Sequence, residues 1–170
     1  MLNEMGLEGE AILVVGVGCS AMLVLSMELD YIQVAHGRPP DVASAMKRAL
    51  RERPLVFTVQ GDWDCIAIGA GALINAAARG ERITILMLNN ANFGTTGGQM
   101  APTTPIGHVT STTPQGRSEA EGYPVHVPEL LATFKGVAYA ARGAVNTPAN
   151  YQRFKKYVRK AFEAQRAGRG

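Results

Sequence analysis

Apolar residues fall in blocks along this chain, and the blocks alternate between an extended and a helical rhythm. Residues 11–17 (AILVVGV) are apolar on both faces of an extended chain, as in a strand buried in a parallel sheet. Gly16-Val17-Gly18 predicts a turn, and 20–27 a short helix. Residues 31–35 read as a second short strand that ends at His36-Gly37-Arg38. Pro39-Pro40-Asp41 opens a helix through Arg51, with Asp41 as its cap and Val42, Ala45, Met46 and Leu50 at helical spacing. A third strand is expected at 54–59. An Ala/Gly-rich helix follows at 66–79 and closes at Gly80. A fourth strand, buried on both sides, spans 83–88.

The pattern then breaks. From Asn89 to about Gly122 the chain is rich in Gly, Thr, Ser and Pro, with Ile106 and Val109 as its expected buried anchors. A loop of this length in a folded domain is usually functional or held by a partner. A short helix at 129–134, a fifth strand at 137–141 and a terminal helix at about 147–167 complete the chain, which reads as a single domain over 1–170. Strand–helix alternation predicts an α/β fold with a mainly parallel sheet flanked by helices. Ligands bind such sheets at the carboxyl ends of the strands. Here those ends carry Gly16-Cys19-Ser20, His36-Gly37, Gly61-Asp64 and Asn89-Gln99.

Composition narrows the classes. Apolar residues make up 46% and charged residues 18%, which fits a globular protein and excludes a disordered tail. A net charge of +3 gives no electrostatic case for nucleic acid. The apolar run 11–27 is shorter than a spanning helix needs, is broken by Gly and Ser, and follows Glu4, Glu8 and Glu10; no membrane segment is expected. The two cysteines, Cys19 and Cys65, form no CxxC pair, and their usage suits a reducing cytoplasm.

The chemistry concentrates in GDWD (61–64) and NNANFGTTGGQ (89–99), one strand–helix–strand unit apart. If their strands are neighbours, Asp62 and Asn90 face each other across the rim. A carboxylate oxygen, an amide oxygen and a main-chain carbonyl two residues on make a hard oxygen set suited to Mg²⁺. The Gly- and Thr-rich FGTTGG offers N–H groups and hydroxyls to a diphosphate. Plainer readings compete. Asp62 and Asp64 could only cap the next helix, and Asn89-Asn90 could be an ordinary turn. GVGCSA (16–21) also fits a dinucleotide fingerprint, but the next strand ends in His36 rather than an acidic residue.

Together these segments resemble the thiamine-diphosphate motif, and more widely the beta subunits of 2-oxoacid:ferredoxin oxidoreductases. GDWDCIAIGAG, NNANFGTTGGQMAPTT, VGCS (17–20), AHGR (35–38) and YPVHVPELLAT (123–133) carry the resemblance in the family's order, over about 11–165. It implies a three-layer thiamine-diphosphate-binding fold. Asp62 and Asn90 would be side-chain Mg²⁺ ligands, and Asn92 would offer its main-chain carbonyl. Gly94, Thr95, Thr96 and Gly97 would meet the diphosphate, with Gly61, Trp63 and Asp64 at the turn beside it. Cys19, Ser20, His36 and Gly37 would line the cofactor near its rings. The family oxidatively decarboxylates a 2-oxoacid to an acyl-CoA and passes electrons through iron–sulfur clusters to ferredoxin. The glutamate that activates the cofactor comes from the alpha subunit. Glu28 and Glu129 stand in no recognisable motif, so no catalytic residue is expected in this chain. The expected partners are an alpha subunit, a ferredoxin-like iron–sulfur subunit or ferredoxin, a 2-oxoacid and coenzyme A.

Three departures from the family pattern matter. Trp63 replaces a glycine. Thr95 replaces a larger apolar residue. The cysteines that would join Cys19 around a [4Fe–4S] cluster are missing, with Pro128 about where the later one belongs, so no cluster is expected here. A non-catalytic assembly subunit, with Trp63 filling a former cofactor pocket, is the rival reading. Cys65 is read as core, and His108 and His126 are assigned nothing. In the terminal helix Tyr151, Phe154, Val158, Ala161 and Phe162 share a stripe opposite a basic face. That face is solvated or meets an acidic ferredoxin domain.

Overall fold

The computed structural model describes residues 1–50 and 54–170. Four parallel strands form the sheet in the order β2-β1-β3-β4: β1 (Ala11–Val15), β2 (Asp30–Gln33), β3 (Leu55–Gly61) and β4 (Thr84–Leu88). A short 3₁₀ turn, Cys19–Ser26, links β1 to β2. Helix α1 (Leu2–Met5) precedes the sheet, α2 (Pro39–Ala49) and α3 (Ala70–Arg79) join the later strands, and α4 (Val127–Leu131) and α5 (Pro148–Arg166) follow. The expected α/β architecture is present, with helices on both sheet faces. Leu13, Val15, Leu55, Phe57 and Val59 pack with Phe162 of α5 on one face. Val14 and Val56 meet Ala43 of α2 on the other. Both faces of β1 and β3 are therefore apolar, the reason these strands show no alternation.

The chain leaves β1 toward β2 and leaves β3 the other way, toward β4, so the sheet has its switch point between β1 and β3, where a crevice opens at the carboxyl ends. At the opposite end Gln165 Nε2 donates to the carbonyls of Val56 (2.6 Å) and Arg82 (2.7 Å), tying α5 to the sheet. Lys155 and Arg159 of α5 reach Glu4 of α1 at 2.5 and 3.4 Å, so part of the basic face is already paired within the chain.

Several expectations need correction. Asp41 does not cap α2: the helix starts at Pro39, whose missing N–H suits that position, and Asp41 lies in the first turn, 3.3 Å from Arg38. The expected end of α2 at Arg51 lies outside the described residues. The expected helix at 66–79 is divided into a π turn, Trp63–Ile68, and α3, which ends at Gly80 with φ 59°. No strand forms at 137–141. There the Ala138 N–H goes to the Gly170 carbonyl, and the Tyr139 ring receives the Lys160 ammonium at 4.8 Å, so the segment is committed to α5 and the terminus. Ile106 and Val109 do not anchor the polar stretch; they are 47% and 64% exposed. A buried arginine does so instead. Arg117 donates to the carbonyls of Thr104 (2.6 Å), Gly122 (2.8 Å), Tyr123 (3.0 Å) and Pro102 (3.1 Å).

Candidate functional site

Two loops meet at the carboxyl ends of β3 and β4. Asp62, 1% exposed, accepts from its neighbour's N–H at Trp63 (3.0 Å) and from the Thr103 hydroxyl (2.7 Å), which also lies 2.9 Å from Asn89 Oδ1. The Thr104 hydroxyl donates to the Ala91 carbonyl at 2.6 Å. Thr103 thus staples the β4 loop to the β3 loop, and Thr104 ties the segment that carries it to Ala91. Ala91 has φ 59°, the one positive φ outside glycine among the described residues. Such strain persists where the surroundings enforce it, and here it sits one residue before the Asn92 carbonyl.

Asn90 Oδ1 lies 2.8 Å from the Asn92 carbonyl oxygen and 3.2 Å from Asp62 Oδ1. Three acceptors with no proton among them repel one another. Turning the amide over would make hydrogen bonds of both contacts. A cation among the oxygens satisfies all three without turning it. Mg²⁺ bonds oxygen at about 2.1 Å in an octahedron, which places adjacent oxygens roughly 3 Å apart. The donor set fits Mg²⁺ in type and spacing. Burial pushes the Asp62 carboxyl above its ordinary range, against the bonds from Thr103 and the Trp63 N–H, and a bound cation would favour the ionised form.

Asp64, also 1% exposed, organises the other side of the crevice. Its Oδ1 accepts from His36 Nδ1 and from the Gly37 N–H (2.7 Å), and its Oδ2 accepts from Gln60 Nε2 (2.8 Å). Thr58 supports Gln60 from below at 3.2 Å. The carboxylate can only accept, so Nδ1 carries the proton and Nε2 points away from Asp64. Gly16 is explained by the same group: a Cβ there would lie 2.0 Å from Asp64 Oδ2. The glycine that suggested a dinucleotide fingerprint is required by a carboxylate from the π turn that follows β3.

Trp63 does not stand free in the crevice. Its ring stacks on Phe93 (centroids 4.3 Å apart, planes 15° apart), and Nε1 donates to the Met100 carbonyl at 3.1 Å. Phe93 belongs to a hairpin of β5 (Asn92–Phe93) and β6 (Gln99–Met100). Cys19 Sγ lies 3.0 Å from Thr95 Oγ1 on that hairpin.

A cavity opens here and continues along β4 past Tyr157 to Glu81 and Gln165, about 800 Å³ in all, within the range of small-molecule sites. Among the expected residues, Cys19, Ser20, His36, Gly61, Asp62, Trp63, Asp64, Asn90, Asn92, Gly94 and Thr95 line it; Gly37, Thr96 and Gly97 do not. Gly37 packs behind the wall on Ile68 and Gly69. Thr96 and Gly97 sit on the exposed hairpin turn, where the Thr96 hydroxyl donates to Gln99 at 3.0 Å. Sequence reading missed Gln60, Phe93, Thr103 and Arg117. A buried polar pair inside an otherwise apolar strand, Thr58 and Gln60, was the visible signal for the first; the others needed the loops in place. Cys65 is fully buried, with its thiol pushed up to about 12 by burial, then by the Asp64 and Asp62 charges.

Comparison with known proteins places this geometry in context. The profile of the family described as "Thiamine pyrophosphate enzyme, C-terminal TPP binding domain" matches residues 16–168. The chain is 39% identical, over 99% of its length, to ketoisovalerate oxidoreductase subunit VorA of Methanothermobacter marburgensis. It is 35% identical, over 91% of its length, to 2-oxoglutarate synthase subunit KorB of Archaeoglobus fulgidus. It spans only 35% of the former and 54% of the latter. A solved 2-oxoglutarate:ferredoxin oxidoreductase from Magnetococcus marinus, with 2-oxoglutarate, coenzyme A and succinyl-CoA bound, matches 75% of this chain and 42% of its own. The TM-score is 0.68 and the identity 27%.

Proposed function

The chain belongs to the thiamine pyrophosphate enzyme family, matching its C-terminal TPP-binding domain, and from that premise we propose that it is the thiamine-diphosphate- and Mg²⁺-binding part of a 2-oxoacid:ferredoxin oxidoreductase. The observation that carries the reading is the convergence of the Asp62 carboxylate, the Asn90 amide and the Asn92 carbonyl within about 3 Å of one another beside the cavity. These atoms would hold Mg²⁺, and the cation would anchor a diphosphate against Gly94 and Thr95, with Thr96 and Gly97 at the outer turn. When bound, thiamine diphosphate supplies the electron sink for decarboxylation of a 2-oxoacid. This chain's own part is to fix and orient. Thr103, braced by Thr104, holds the two anchoring loops together, and Asp64 sets His36 and Gly37 on the ring side with Cys19 and Ser20.

The glutamate that activates the cofactor would come from a partner alpha subunit, and electrons would leave through a ferredoxin-like subunit or ferredoxin, the product being an acyl-CoA. We read residues 1–170 as one binding domain working in a cytoplasmic complex; among the described residues no helix is long and apolar enough to cross a membrane. Stacking of Trp63 on Phe93, with its N–H tied to Met100, supports this reading over the non-catalytic one, in which the indole would occupy the crevice. The test is reconstitution with the alpha subunit and the ferredoxin-like iron–sulfur subunit. Coenzyme A-dependent reduction of a viologen dye by a 2-oxoacid is expected, and it must require thiamine diphosphate. Loss of that requirement, or no reduction with any 2-oxoacid, would favour the assembly role.

A further inference from the structure

Three buried side-chain polar atoms lack a partner among the described residues: Ser20 Oγ, His36 Nε2 and Gln165 Oε1. The last sits where α5 is tied to the Val56 and Arg82 carbonyls, far from the rim. All three line the same extended cavity, but only Ser20 and His36 do so at the rim, after the carboxyl ends of β1 and β2. A buried polar atom without a partner is costly, and two on one wall point to a ligand that supplies what they lack. Neither is free to turn elsewhere. His36 is held by its Nδ1 bond to Asp64 and by Phe93 at 5.7 Å. Ser20 is 5% exposed, in the first turn of the 3₁₀ segment.

We propose that Ser20 Oγ and His36 Nε2 together bind the carboxylate end of the 2-oxoacid, an assignment that rests on the thiamine-diphosphate reading above. Across the rim the strands run β2-β1-β3-β4. The metal trio occupies the β3 and β4 ends, and neighbouring strands lie about 4.8 Å apart. The ends of β1 and β2 thus lie roughly 5–10 Å from the end of β3, on the side where the rings of a cofactor anchored at the trio would be held. A positively charged thiazolium offers no nitrogen lone pair to a hydroxyl donor, and the partner's glutamate would engage the aminopyrimidine at N1′. A substrate carboxylate, with two acceptor oxygens, can satisfy Ser20 and His36 together. A carboxylate accepts from the serine hydroxyl. It also accepts from Nε2–H when the imidazole carries both protons, the form that pairs ionically with Asp64.

The test uses the assembled enzyme loaded with thiamine diphosphate and Mg²⁺, and N-isopropyl oxamate as a 2-oxoacid isostere that cannot decarboxylate. Calorimetry measures the dissociation constants of the probe and, separately, of the cofactor. Ser20→Ala and His36→Phe are each expected to weaken the probe by about tenfold or more, while cofactor affinity falls less than about threefold. His36→Gln, which keeps an amide near Nε2, should recover part of the loss. Ser20→Ala removes one oxygen and keeps the assignment testable if His36→Phe fails to fold. Unchanged probe affinity in both variants would overturn the assignment and leave cofactor binding standing. An equal loss of cofactor affinity would give the pair to the cofactor instead, overturning the substrate assignment. Failure of the unmodified enzyme to bind thiamine diphosphate would remove the reading on which this rests.

Discussion

Replacing Gly16 with alanine tests the most constrained point of the crevice. The added methyl would sit 2.0 Å from Asp64 Oδ2, 2.5 Å from Cγ and 2.6 Å from Oδ1, roughly 1.5 Å inside van der Waals contact with the nearest oxygen. Asp64 cannot simply retreat. It is held by His36, by the Gly37 N–H at 2.7 Å and by Gln60 at 2.8 Å. Moving it aside forfeits about two of these bonds, each worth roughly 1.5–3 kcal/mol when one partner is charged. The expected loss is about 3–6 kcal/mol, a large share of the roughly 5–15 kcal/mol that stabilises a domain. Guanidinium denaturation at neutral pH measures it. Asp64→Ala removes the clash at its source, so Gly16→Ala added to that background should cost about 1 kcal/mol or less. A Gly16→Ala protein within about 1 kcal/mol of the parent would refute the reasoning, as would costs that simply add.

Two further outcomes follow from the burial of single groups. Cys19 is exposed and Cys65 is buried, with its thiol pushed up to about 12; a maleimide at pH 7.5 should therefore modify one cysteine per native chain, at position 19, and labelling of Cys65 before unfolding would contradict the packing. Glu81 is held below its ordinary value of 4.5, because its bonds to Arg48 and Arg79 outweigh the opposing effect of burial. Its stabilising contribution is complete above about pH 5 and fades as pH falls through the depressed value. Glu81→Gln should lower stability at pH 7 and flatten its decline below pH 5, and parallel stability–pH curves for parent and variant would count against the pairing.

The parallel sheet was legible because β1, β3 and β4 are apolar on both faces and end in Gly or Asn. The spacing of Asp62 from Asn90 was legible too, since a strand–helix–strand unit in a parallel sheet returns the chain to the same rim. Interactions across the loops were not. Nothing local marks Thr103 as the donor to Asp62 forty-one residues earlier, or Arg117 as the donor to the carbonyls of Pro102, Thr104, Gly122 and Tyr123. Ile106 and Val109 were expected inside because they are apolar, yet hydrogen bonding rather than apolar burial orders that segment. The fifth strand failed for a related reason: a β-prone pattern at 137–141 specifies no partner, and its contacts go to α5 and Gly170 rather than to the edge of β4. Gly16 shows how local pattern misleads. Its role is set by a side chain in the turn after another strand.

The central claim is that Asp62, Asn90 and the Asn92 carbonyl hold a divalent cation that fastens a diphosphate. Calorimetric titration of the assembled enzyme with thiamine diphosphate, with Mg²⁺ and again with EDTA, in the parent and in Asp62→Ala, tests it most directly. The account predicts saturable binding that disappears with EDTA and weakens by at least about thirtyfold in the variant. Binding indifferent to Mg²⁺, or equally tight without the Asp62 carboxylate, would contradict it.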